Sequence, residues 1–151
     1  RIMGYDLPVK SLDTQGALRA LSMANRNRDY PEKLLIHHSD RGIQYCSDIY
    51  QKRLRRYGIL TSMTEKYDPY ANAVAERVNG ILKQEFQLEN LNLDIQQMKN
   101  VVKDAISIYN SKRPHCSCEM LTPMQMHAQC DVRIKTYKKE NHNKVDLAVI
   151  P

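Results

Sequence analysis

Apolar positions recur along the chain with two periods. Ile2 to Leu7 alternates and stops at Pro8, the pattern of a strand. From about Thr14 to Asn27 the spacing of Ala17, Leu18, Leu21 and Ala24 predicts a helix started by Asp13 or Thr14. A polar connection over Asn25 to Pro31 leads to the apolar run Leu34 to His38, read as a buried strand that delivers Asp40 at its C-terminal tip. Ile49, Tyr50, Leu54 and Tyr57 predict a short helix that begins at Ser47 or Asp48 and that Gly58 stops. Ile59, Thr61 and Met63 then alternate as a strand, and Asp68-Pro69 favours a turn in the loop Tyr67 to Tyr70.

The stretch Ala71 to Phe86, ANAVAERVNGILKQEF, predicts a helix running to about Gln87. Glu76 stands one turn after Asn72, one turn before Asn79 and Gly80, and two turns before Lys83, so a regular helix presents them on one face. Val74, Val78, Ile81 and Leu82 are then left to face a core. A second long helix over about Asp94 to Asn110 carries Ile95, Met98, Val102, Ala105 and Tyr109 at helical spacing, with Asp94 and Gln97 as a capping pair. Pro114 ends that region, and Thr122 and Pro123 have the character of an N-cap and first residue of a short helix through His127. The order strand, helix, strand, helix, strand, helix, helix makes this an α/β chain, a sheet layered with helices.

At 151 residues the chain is the size of one domain. A net charge of +6 and a pI near 9.2 favour polyanionic partners, nucleic acid first among them. The excess is grouped in Lys52, Arg53, Arg55 and Arg56, in Lys112 and Arg113, and in Arg133, Lys135, Lys138 and Lys139. The first group reads equally well as the solvated face of a helix. A mean hydropathy of −0.62 and the absence of any apolar run near the ~20 residues that span a bilayer exclude a membrane helix and favour a cytoplasmic setting. Cys46, Cys116, Cys118 and Cys130 lack the paired ligand spacing of a structural zinc site, so reduced thiols are expected.

HHSDRGIQYCS at His37 to Ser47, followed by YDPYANAVAERVNGILKQE, resembles the catalytic core of bacterial insertion-sequence transposases of the DDE type, relatives of retroviral integrase. In that family the second Asp and the Glu are separated by 35 residues, as Asp40 and Glu76 are, and a Lys or Arg follows the Glu by seven, where Lys83 stands. The resemblance continues through YNSKRPH at Tyr109 to His115 and LTP at Leu121 to Pro123. Ile43, Cys46, Ala71, Cys118 and Glu119 depart from the family's usual residues without removing an implied ligand.

The resemblance implies a ribonuclease-H-like integrase core over residues 1–130, followed by a basic tail over residues 131–151. It implies metal-dependent phosphodiester transfer that cuts and joins DNA strands at insertion-sequence ends, in a homo-oligomeric complex with transposon ends and target DNA on the bacterial nucleoid. Asp40 and Glu76 are the implied catalytic residues and ligands of two Mg²⁺ (or Mn²⁺) ions. Lys83 is the implied phosphate contact and Asn72 a candidate for positioning substrate. Arg113 and His115 are candidates either for DNA contact or for closing the end of the long helix; His37 and His38 are read as strand-end packing or polar support. The family's first Asp lies on an earlier central strand, so the core is expected to be N-terminally truncated, its first strands missing, and the chain alone inactive and poorly folded. The alternatives are a DNA-binding remnant without catalysis and a ribonuclease-H-like nuclease that does not join strands.

Overall fold

The computed structural model describes residues 1–7, 13–64, 72–88 and 90–129. The loop at Tyr67 to Tyr70, Ala71, Cys130 and the basic tail lie outside them.

Helix α1 (Thr14–Arg26) starts where Asp13 accepts from the backbone N–H groups of Gln15 and Gly16, satisfying donors that the first turn leaves without partners. Strand β1 (Leu35–Ser39) follows, then α2 (Ile43–Cys46) and α3 (Asp48–Arg56), which ends at Tyr57 with Gly58 at φ +65°. The chain then enters strand β2 (Ile59–Met63), which pairs with β1 in parallel, Leu35 opposite Ile59 through Ser39 opposite Met63. Parallel pairing needs a crossover, and α2 with α3 supplies it. The core this builds is small: Leu18 and Leu21 of α1, Tyr50 and Leu54 of α3, and Ile59 of β2, flanked by Ala17, Tyr45 and Tyr57. Leu54, fully buried, stands at its centre.

Among the described residues the sheet has these two strands alone. Strands of parallel sheets are ordinarily covered on both faces, yet Leu35, Ile36 and Leu60 are exposed here, Ile36 by 59%. Ile2 to Leu7 does not form the strand that its alternation predicts. A strand exists only where a neighbour completes its ladder, and here side-chain amides take that place. Ile2 N–H donates to Asn110 Oδ1 at 2.8 Å, Asn110 Nδ2 donates to Ile2 C=O at 2.9 Å, and Asn27 Nδ2 donates to Met3 C=O. Gly4 lies so close to α1 that a Cβ there would stand 2.1 Å from Ala20 O. Asn110→Ala removes both partners of Ile2 at once, and is expected to cost about 1–3 kcal/mol in urea unfolding, with Ser111→Ala neutral beside it. An unchanged unfolding midpoint for Asn110→Ala would show that the leading segment is held by other means.

The second half of the chain is helical. Helix α4 (Ala73–Gly80) runs without a break into a π-helical turn (Ile81–Glu85), marked by the bond from Phe86 N–H to Ile81 C=O. Helix α5 (Ile95–Ser111) opens on the expected capping box of Asp94 and Gln97, and buries Val102, Ala105, Ile106, Tyr109 and Asn110. A 3₁₀ turn (Cys116–Cys118) leads to α6 (Pro123–His127), capped by Thr122 with Gln125. The apolar face expected of the Glu76 helix is only partly realised: Ile81 is 1% exposed, but Val74 is 81% exposed and α4 buries none of its residues. That face continues past Gly80 with a different winding, so residues aligned by the α-helical period do not stay aligned.

Candidate metal-binding edge and its supports

Asp40 sits one residue beyond β1, at a tip that several bonds make stiff. Thr64 N–H donates to Ser39 C=O at 3.0 Å and Arg41 Nε donates to Thr64 C=O at 3.0 Å, two rungs that continue the β1–β2 pairing past its last register pair. Gly42 N–H donates to Asp40 Oδ1 at 2.9 Å, folding the carboxylate back over its own turn. A Cβ on Gly42 would stand 2.9 Å from that oxygen and 2.6 Å from Gln44 Nε2, so a larger residue there would push the Asp40 and Gln44 side chains aside. Behind the tip, His37 Nε2 lies 3.0 Å from Tyr50 OH and packs edge-on to Tyr50, while His38 Nδ1 lies 2.9 Å from Ser62 Oγ. Burial pushes the His37 pKa down and the Tyr50 pKa up, so both stay neutral and can share one hydrogen bond. The two histidines support the strand end.

Glu76 is exposed, in the first turn of α4, one turn from Asn72, whose C=O accepts from Glu76 N–H at 3.1 Å. Asn72 begins the helix with its backbone; its side chain makes no capping bond. Lys83 lies in the π turn, where the wider winding rotates it away from the line through Glu76 that a regular helix would keep. Among the described residues no group of three or more His, Cys, Asp or Glu side chains is gathered as a metal cluster. Cys46, Cys116 and Cys118 are free thiols.

Arg113 and His115 are brought together with a residue that sequence reasoning passed over, Glu85. Arg113 Nε and Nη2 donate to the two oxygens of the Glu85 carboxylate, each at 2.7 Å, and Arg77 stands 3.8 Å from the same group. Hydrogen bonding to Arg113 holds the Glu85 carboxyl below its ordinary pKa, and the same pair raises that of Arg113. Arg113 Nη1 lies 3.2 Å and 3.3 Å from the His115 ring nitrogens, and the ring meets Tyr109 edge-on at 4.9 Å. Desolvation first, and the Arg113 charge second, lower the His115 pKa. His115 N–H donates to Leu121 C=O and Met120 N–H to His115 C=O, so the RPH and LTP segments form one backbone-linked turn. Of the first basic group, Lys52, Arg55 and Arg56 are exposed, whereas Arg53 turns back to Ser22 Oγ at 3.2 Å. No described helix is long and apolar enough to cross a membrane.

The integrase core domain family matches this chain twice, over residues 1–69 and 57–123. The chain is 29% identical to the transposase for insertion sequence element IS904 of Lactococcus lactis subsp. lactis, over 82% of this chain and 48% of that protein. It is 37% identical to the putative transposase InsK for IS150 of Escherichia coli K12 over 66% of this chain and 35% of that one. With transposase InsF for IS3A of the same strain it shares 34% identity over 82% of this chain and 43% of InsF. The chain thus spans less than half the length of each of these relatives. Among solved structures, the catalytic core domain of BIV integrase superposes with a TM-score of 0.58 at 17% identity, covering 78% of this chain and 72% of that one. A chain of the simian T-cell lymphotropic virus intasome, solved with PP2A regulatory subunit B56 gamma, gives a TM-score of 0.63 at 21% identity, over 87% of this chain and 46% of that chain. The fold is therefore the ribonuclease-H-like integrase core, and the chain belongs to the integrase core family, with transposases of insertion sequences among its relatives.

Proposed function

We propose that this chain carries two carboxylates, Asp40 and Glu76, of a site that cuts and joins DNA strands by metal-dependent phosphodiester transfer. The observation that carries the reading is a stiff strand tip ending in Asp40 and a helix presenting an exposed Glu76, the two acids that the resemblance of the sequence to DDE-type transposases singles out. The donor set suits Mg²⁺ or Mn²⁺: both side chains offer hard oxygens, both are exposed, and Gly42 N–H takes Oδ1 of Asp40 while no other described residue takes Oδ2. Two carboxylates are enough protein ligands for such an ion, since water and substrate phosphate complete its shell. A bound pair of ions supplies charge neutralisation at the attacking and leaving oxygens.

The chain's own residues do the rest. The rungs through Thr64 and Arg41 keep the Asp40 carboxylate from moving when substrate arrives, which is the positional economy that oriented reactions need. Lys83 holds a DNA phosphate as a point charge, and Asn72 positions substrate beside Glu76. The partners are transposon ends and target DNA on the bacterial nucleoid, bound by a homo-oligomer. The test is a labelled duplex incubated with the complete protein. Joined products are expected in Mg²⁺, are lost in EDTA and return with Mn²⁺. Cleavage without joining would replace the reading with a nuclease, and activity indifferent to EDTA would end it.

A further inference from the structure

We propose that the Glu85–Arg113 ion pair orients the helix carrying Glu76, which makes Arg113 a positioning residue and not a contact to DNA. The inference rests on the reading of Glu76 as a metal-holding carboxylate, and begins from how little else fixes α4. That helix fully buries none of its residues, Val78 being half-buried, so packing along its length sets its rotation only loosely. Its continuation is anchored by Ile81, buried to 1% exposure. Val78, Leu82 and Phe86 beside it are only half-buried, so apolar contact holds the helix in place more firmly than it fixes its rotation, and a directional bond one turn further on fixes the rotation. Glu85 is the second anchor, four residues after Ile81.

The geometry of the pair suits this task. Arg113 meets Glu85 with two parallel bonds of 2.7 Å, and a planar fork fixes direction as well as distance, which a lysine's point charge does not. Arg77, on α4 itself, faces the same carboxylate at 3.8 Å. Arg113 in turn stands just past the end of α5, three residues after the buried Asn110, and its Nη1 lies within 3.3 Å of Pro114 C=O and of the His115 ring. Nε and one N–H of Nη2 are taken by Glu85, and Nη1 faces Pro114 C=O and the His115 ring. A phosphate taken on the Nε–Nη2 edge would have to displace the Glu85 carboxylate, and one placed beside it would meet like charge.

The test is a cycle of Glu85→Gln, Arg113→Ala and the double variant, with Arg113→Lys added. Hydrogen exchange of the amides from Arg77 to Glu85 reports the clamp whatever the site's chemistry. Exchange is expected to rise about tenfold in each single variant and no further in the double, because the two residues form one unit. Strand cutting by the complete protein is expected to lose about 10- to 100-fold in kcat with KM for DNA unchanged, the cost of a displaced carboxylate. Arg113→Lys keeps the charge but loses the fork, and is expected to resemble Arg113→Ala. The salt dependence of binding to a duplex is expected to keep its slope in all four. If Arg113 holds a phosphate, Arg113→Ala lowers that slope by about 0.9 and its loss adds to that of Glu85→Gln, and the proposal is overturned. It is also overturned if cutting survives Glu85→Gln but not Glu76→Gln. Cutting that survives Glu76→Gln as well overturns the reading of the site instead, and the proposal with it.

Discussion

Glu76→Gln is expected to abolish strand cutting by about a thousandfold while leaving DNA affinity within about twofold. The amide keeps the shape of the side chain but removes its charge and one strong ligand oxygen. Stabilisation of several kcal/mol by bound metal converts at about 1.4 kcal/mol per tenfold, so losing some 4 kcal/mol gives this magnitude. The substitution is informative because Glu76 is exposed on a helix that buries nothing, so lost activity cannot be lost folding. Binding depends on phosphate contacts with a salt slope of about −0.9 per phosphate, to which a carboxylate contributes none. Single-turnover cutting and a salt titration of binding, run side by side, are the measurements. Activity within tenfold of the parent would remove Glu76 from the site.

Leu54→Ala is expected to destabilise the complete protein by about 2–5 kcal/mol, a large share of the ~5–15 kcal/mol typical of a domain. Leu54 is fully buried where α1, α3 and β2 meet, and among the described residues the cluster around it has four other buried members, Leu18, Leu21, Tyr50 and Ile59. A truncation in so small a core leaves a void that few neighbours can fill. The same helix supplies the control, because Ile49 is 49% exposed and Ile49→Ala is expected to cost under ~0.5 kcal/mol. Urea unfolding followed by circular dichroism separates the two. Equal midpoints for both variants would mean that the α1–α3–β2 cluster is not what holds this half together.

What the sequence made legible were features whose causes are local. Asp13, the Asp94 and Gln97 box, and Thr122 before Pro123 each satisfy nearby backbone donors, and each stands where expected. The apolar run ending in SDRG was readable as a strand for the same reason, since turn chemistry and strand composition sit side by side, but the burial expected of it is not met, Leu35 and Ile36 being exposed. Two features escaped because their causes lie far off in the chain. Ile2 to Leu7 alternates like a strand, but pairing is a property of the neighbour, and Asn110 answers it with a side chain 108 residues away. Glu85 carried no reading at all, and Arg113, 28 residues on, was a candidate either for DNA contact or for closing the end of the long helix. Nothing in the local sequence announces that one is the other's partner. The spacing from Asp40 to Glu76 to Lys83 was read through resemblance, which gives residue types and order but not the winding between them.

That winding has a consequence for angle. In an unbroken α-helix two residues nine apart point about half a turn from each other, at roughly 100° per residue. The π turn advances fewer degrees per residue, so Glu76 and Glu85 diverge by less than half a turn. The azimuth at which α4 offers its carboxylate is thus set by backbone phase in the Ile81–Glu85 segment, before any side-chain torsion is chosen.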